Sequence, residues 1–231
     1  MASSNLAQEI AAHLASKSLS PSPTWLTNTF LPTIRPTTPL PALKQTALFR
    51  LLASDITQTL QRTPTSVFPA DIHNATIRER RLAGPIAVQV LDIEDIGRSR
   101  WSQVEALEAA ERGETTKGRE IIRAVPAEDG GEGGDVDAEA AGGGGPHKLV
   151  LQDAQGMRVF GVELVGVEGV GVGMNIGAKM VLRDVLVARG VVLLEPRSVR
   201  VEGGKIEGLH KAWREGRKER LKTAAGITER G

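Results

Sequence analysis

The chain has 231 residues, enough for one large domain or two modest ones, and a formal net charge of +1, so overall charge announces neither a nucleic-acid nor a membrane partner. It has no cysteine, which excludes a disulfide framework and a thiolate metal site. No run of ~18 apolar residues occurs, so no transmembrane helix is predicted, and the start MASSNLAQEIAAHLASKS does not read as a signal peptide.

Charge is unevenly spread. Residues 1–83 carry eight Lys/Arg and four Asp/Glu, residues 84–203 carry 13 and 20, and residues 204–231 carry eight and four. Basic flanks therefore bracket an acidic middle. These three segments are predicted to be a helical N-terminal domain, a β domain and a basic C-terminal helix. With four Phe, three Trp and no Tyr, the core must be mostly Val, Leu, Ile and Ala.

In the first segment, Leu6, Ile10 and Leu14 recur every four residues, a helical stripe. Ser22-Pro23 offers an N-cap with proline at the first helical position, and Trp25, Leu26 and Phe30 supply the apolar face that follows. The prolines of TIRPTTPLP break the helical pattern. A longer helix is predicted from about Ala42 to Leu60, with Leu48, Leu51, Leu52, Ile56 and Leu60 on one face. So small a core is marginal alone, and docking on the next domain is expected.

From Pro85 the period becomes two. In PIAVQVLDIEDI, Ile86, Val88 and Val90 alternate as in a half-buried strand. HKLVLQD, RVFGVELVGV, KMVLRDVLVA and VVLLEPRSVRV give four more strand-like runs. Five short strands without long helices between them predict a small barrel, and the five-stranded OB-fold is the common one of this size. The predicted fold is thus mainly β with α: helical domain, OB barrel with a long insertion after strand one, and a C-terminal helix.

The insertion runs from about 98 to 146. Its first half, RWSQVEALEAAERGETTKGREIIRAV, has helical character. Its second half has eight glycines, six acidic residues and no basic residue, a composition unable to bury enough apolar surface to order itself. Connections this long tend to be functional or disordered. The terminal KIEGLHKAWREGRKERLK reads as a helix with Ile206, Leu209, Trp213 and Leu221 on its buried side, packing back on the N-terminal helices.

The stretch GVEGVGVGMNIGAKM looks at first like a phosphate loop. A Rossmann fingerprint needs G-x-G-x-x-G, but from Gly169 and Gly171 the third position is Met174, and from Gly171 and Gly173 it is Ile176. The P-loop hydroxyl is missing too, since Gly177 is followed by Ala178 and Lys179 by Met180. A strand pattern follows where an anion site would need a helix. The four histidines, His13, His73, His147 and His210, are far apart. Asp92, Glu94 and Asp95 form a carboxylate cluster that reads as a solvated strand edge, and Ser99 and Ser102 have no base nearby. No catalytic, cofactor or metal residues are assigned, and the chain reads as a non-enzyme.

Single-strand-binding OB-folds need a basic groove and stacking aromatics. Between 84 and 203 the aromatics are Trp101 and Phe160 alone. Phe160 alternates with Val162, which fits a core position; it is also the one candidate nucleic-acid contact. A protein-binding OB-fold is favoured, with a stand-alone single-strand-binding protein as the alternative.

The chain resembles the RecQ-mediated genome instability protein 1 family over about residues 22–215. The resemblance is carried by TWLTNTFLP, LAGPIAVQVLDIEDIGRSRWSQVEAL, HKLVLQDAQGMRVFGVEL and above all IGAKMVLRDVLVARGVVLLEPRSVRVEGGKIEGL. The short form, with no second OB domain, is similar to the compact fungal members. The resemblance implies a nuclear, cofactor-free subunit of a RecQ helicase–topoisomerase III complex, acting in DNA repair and double Holliday junction dissolution, with DNA contact weak or indirect. It implies that the insertion engages topoisomerase III at its DNA gate and favours decatenation. Trp101, Val104 and Leu107 match apolar or aromatic positions of the family's loop. Lys179 matches its turn lysine, a candidate for the partner-binding face or simply an exposed turn residue. The tract 125–146 does not match the family residue by residue, and the glycine run 166–173 is more degenerate than the family's connection.

Overall fold

In a computed structural model of the chain, residues 2–35, 37–117, 120–123 and 145–226 are described. The N-terminal part holds α1 (Ala2–Ser16), a π-helical turn (Trp25–Phe30) running into a 3-10 turn (Leu31–Thr33), α2 (Leu40–Leu52) and the short α3 (Ile56–Thr59). The single helix expected from Ala42 to Leu60 is therefore two. The apolar spacing carries on through the break, but Asp55 adopts an extended backbone and its side chain caps α3 by accepting from Thr57 N at 2.8 Å.

Strands follow: β1 (Glu79–Leu82), β2 (Ile86–Asp95), β3 (Glu114–Lys117), β4 (Glu120–Arg123), β5 (His147–Asp153), β6 (Arg158–Glu163), β7 (Lys179–Leu182), β8 (Val185–Ala188), β9 (Val191–Leu194) and β10 (Val199–Gly203). Between β2 and β3 lies α4 (Arg100–Glu111), and α5 (Glu207–Ala224) closes the chain. The eight-stranded sheet has the order β1-β8-β9-β6-β5-β2-β7-β10. All pairs are antiparallel except β6 with β9.

The five predicted strand runs are all present, but two of them break. KMVLRDVLVA divides into β7 and β8 at Arg183–Asp184, where Asp184 takes φ +48°. VVLLEPRSVRV divides into β9 and β10 around Pro196, which has no N–H to give a ladder. β7 pairs with β2 and β10, while β8 pairs with β1 and β9. The two flanks of the sheet are thus joined through continuous chain, and the sheet curls as in an OB-fold.

Inside the curl lie Val88, Val90, Leu149, Leu151, Val159, Met180, Leu182, Val192 and Leu194. The glycine-rich stretch contributes too: Val167, Met174, Ile176 and Ala178 are buried in the same core. A second core, built on Ile10, Leu14, Trp25, Phe30, Leu51 and Ile56, also takes in Ala87 and Val181. This explains why β2 is not the half-buried strand its alternation suggests. Val88 and Val90 face the barrel interior, whereas Ala87 and Gln89 are covered by the helices, and Gln89 Oε1 accepts from Ile56 N at 3.0 Å. The helical part docks on the outside of β2 and β7, as a marginal small core requires.

Candidate partner-binding site

The insertion leaves the barrel at the C-terminal end of β2 and returns at the start of β5. Its root is narrow. Ile96 N donates to Pro146 O at 3.0 Å, and a Cβ on either Gly97 or Gly145 would meet the other's Cα at 2.4 Å. Only glycine allows the two backbones so close. Asp95 turns the chain by accepting from Gly97 N at 2.8 Å. Ser99 then caps α4, accepting from Ser102 N at 3.1 Å. Gln103, fully buried, donates from Nε2 to Asp95 O at 2.8 Å and Arg98 O at 3.2 Å.

The cluster Asp92, Glu94 and Asp95 is engaged as structure. Asp92 accepts from Trp213 Nε1 at 2.6 Å. Glu94 accepts from Arg100 Nε at 2.8 Å and pairs with Lys148 Nζ at 2.5 Å. Partial burial works to raise its pKa, but these bonds and the charges of Lys148 and Arg100 outweigh it and hold the carboxyl below its usual value. No group of three or more His, Asp or Glu able to hold a metal occurs among the described residues. Nor does any described helix have the length and apolarity to cross a membrane.

The C-terminal helix does not pack as the sequence suggested. It lies against α4 and the end of β2, not against the N-terminal helices. Lys218 Nζ pairs with Glu111 at 2.7 Å and Lys222 Nζ with Glu108 at 3.1 Å. The apolar spacing in α5 predicted a buried side correctly for Trp213 and Leu221 but not for Leu209, which is 39% exposed, and it does not say which element covers them.

The residues singled out from the sequence fall in different settings. Trp101 lies on the first turn of α4 and is 54% exposed. Leu107 is half-buried. Val104, between them, is 3% exposed and turned inward, so it supports α4 instead of offering a surface anchor. Lys179 departs furthest from expectation: it is fully buried, neither on an accessible face nor an exposed turn residue. Its Nζ donates to Gly177 O at 2.7 Å and to Leu52 O, at the C-terminal end of α2, at 3.0 Å. It caps α2 by giving the carbonyl of Leu52 a partner. Phe160 is not core: it is 53% exposed on the outer face of β6, with Lys148 Nζ 5.8 Å from its ring centroid.

Exposed apolar residues also gather at one end of the barrel. Ile96 follows β2, and Leu164 and Val165 follow β6. β2 and β6 both flank β5, so these residues sit at the barrel end from which the insertion emerges. The period-two pattern reads them as strand continuations, and only the turn glycines Gly97 and Gly166 mark where the strands stop. Within the insertion, the hairpin β3–β4 also went unseen, because ETTK and EIIR are short and charged at their ends. The glycine–acid tract lies, except for Gly145 and Pro146, outside the described residues.

A family model described as RMI1, N-terminal OB-fold domain, matches residues 68–217, and one described as RMI1, N-terminal helical domain, matches residues 14–59. The RecQ-mediated genome instability protein 1 of Schizosaccharomyces pombe is 31% identical over 168 residues, covering 68% of this chain and 69% of that protein. The chain belongs to the RecQ-mediated genome instability protein 1 family. For this member of the RecQ-mediated genome instability protein 1 family, the OB-fold match spans the insertion, α4 and much of α5, so these elements lie within the matched body. The helical match covers α2 and α3, the elements docked on β2 and β7.

Proposed function

We propose that this chain is a non-enzymatic accessory subunit acting in genome stability and DNA repair. It binds topoisomerase III and a RecQ-family helicase in the nucleus, and it stimulates decatenation and the dissolution of double Holliday junctions. The observation that carries this reading is the insertion's root. A curled sheet holds two backbones so close that glycine is obligatory at both, and it sends out a long segment whose first helix presents an exposed tryptophan. Ile96, Leu164 and Val165 extend the apolar surface at that end. Exposed aromatic and apolar anchors are the groups that dominate interface energetics. Family membership supports the pathway. In this mechanism the barrel is the rigid holder, α4 orients the outgoing chain, and the insertion acts on the topoisomerase gate.

Co-purification with topoisomerase III tests the reading. The intact chain is expected to retain the enzyme. Trp101→Ala is expected to weaken retention by roughly tenfold or more, the scale of losing one buried aromatic anchor. Failure of the intact chain to retain any topoisomerase III would overturn the proposal.

A second reading is favoured by one observation, the exposed Phe160 ring beside Lys148. Such a pair suits stacking of a single-stranded base. If the chain acts alone on single strands, it binds an oligonucleotide at physiological salt and Phe160→Ala abolishes that binding. The accessory-subunit reading expects Phe160→Ala to leave topoisomerase retention intact and to change folding stability by less than ~1 kcal/mol, as for an exposed position. Titration with a fluorescent oligonucleotide separates the two.

A further inference from the structure

We propose that α5 sets the pose of α4, the first helix of the insertion, through a row of ion pairs. The inference rests on the reading that the insertion is what acts on the topoisomerase. Its basis is how differently the two halves of α5 are held.

The first half is anchored to the barrel. Trp213 is buried in the barrel core and bonds Asp92. His210 Nδ1 accepts from Ile176 N at 3.1 Å, and Ile206 N donates to Ile176 O at 3.1 Å. The second half, still beside the end of β2, holds α4. As α5 runs forward from Lys218 to Lys222, its partners on α4 run backward from Glu111 to Glu108. Arg100 Nη1 donates to Ala224 O at 3.4 Å, closing the far end of the joint.

Toward the barrel, α4 is tied by Arg100 to Glu94 and by Gln103 to Asp95 O. Val104 and Leu221 are buried, yet neither belongs to either hydrophobic core. The joint is lined by polar groups, among them Arg100, Gln103, Arg217 and Arg220, together with the apolar Ile93, Trp213, Leu221 and Ala224. Beside this packing, the ion pairs set how the two helices sit. Partly exposed pairs are weak and screened by salt, so this joint is adjustable. The sequence pattern agrees: α4 places Glu105, Glu108 and Glu111 three apart, and α5 places Arg214, Lys218 and Lys222 four apart, each along one helix side.

The test uses the full chain, which has no cysteine of its own. Ala110→Cys on α4 and Arg158→Cys on β6, both exposed, carry spin labels for distance measurement. Charge is reversed on α5 (Lys218→Glu with Lys222→Glu), on α4 (Glu108→Lys with Glu111→Lys), and on both together. A chain with residues 98–146 replaced by a short turn is the reference. Each single-sided reversal is expected to broaden or shift the distance distribution and to cut topoisomerase III stimulation at least fivefold. The combined reversal is expected to restore both. If single-sided reversals move neither the distance nor the stimulation, while replacement of 98–146 abolishes stimulation, the inference is overturned and the proposed function stands. If the combined reversal restores neither, the charges do not act on each other and the inference is again overturned. If replacement of 98–146 leaves stimulation unchanged, the role given to the insertion is wrong, and the inference falls with it.

Discussion

Replacing Gly177 with alanine is expected to destabilise the fold by roughly 3 kcal/mol, from left-handed strain together with a backbone clash. Gly177 has φ +92°, where a side chain is strained. The added Cβ would lie 2.5 Å from Ile206 N and 2.7 Å from Ile206 Cγ1. The backbone nitrogen cannot rotate away as a side chain can. Moving it would break its bond to Ile176 O and shift the start of α5. Urea unfolding of Gly177→Ala beside the native chain measures the effect. A loss below ~1 kcal/mol would mean that the turn has room the geometry denies it.

Two residues on, Lys179 is expected to give the protein an unusual stability profile above neutral pH. Burial drives its pKa from 10.5 down to about 7, against the opposing pull of Asp55. The unfolded chain keeps this proton up to about pH 10.5, whereas the folded chain releases it near 7. Between those values the unfolded state binds more protons, so raising the pH favours folding. Below pH 7 both states are protonated and the contribution is flat. Lys179→Met keeps the stem but not the titration. The stability of the native chain relative to Lys179→Met is therefore expected to rise from pH 7 towards 10, by at most ~1.4 kcal/mol per unit. Parallel stability curves for the two proteins would show that Lys179 stays protonated in the fold.

Much of the architecture was legible because it depends on local pattern. Alternation in PIAVQV and HKLVLQD marks β2 and β5, whose barrel-facing residues are the ones the period selects. What escaped depends on contacts made from far along the chain. Lysine at the head of a strand reads as exposed, and its burial is decided by α2, whose Leu52 lies 127 residues away. Val104 reads as an anchor beside Trp101, but a 3.6-residue period does not say which side of α4 faces the barrel until α5 is in place. The break before α3 was visible in principle: Asp-Ile-Thr is a capping signal, overridden here by an apolar spacing that happens to continue through it. The glycine run escaped for another reason. Its glycines suggest a loose connection, yet Val167, Met174 and Ile176 are buried in the barrel core. The loop is partly a lining of that core.

The central claim is that the insertion carries the action on the topoisomerase while the barrel and helices hold it. Decatenation by topoisomerase III in the presence of the intact chain, and of a chain with residues 98–146 replaced by a short turn, tests it most directly. Circular dichroism and unfolding confirm that the shortened protein is folded. The intact chain is expected to stimulate decatenation, and the folded, shortened chain is expected to leave it at the rate of the enzyme alone. Equal stimulation by both proteins would contradict the account.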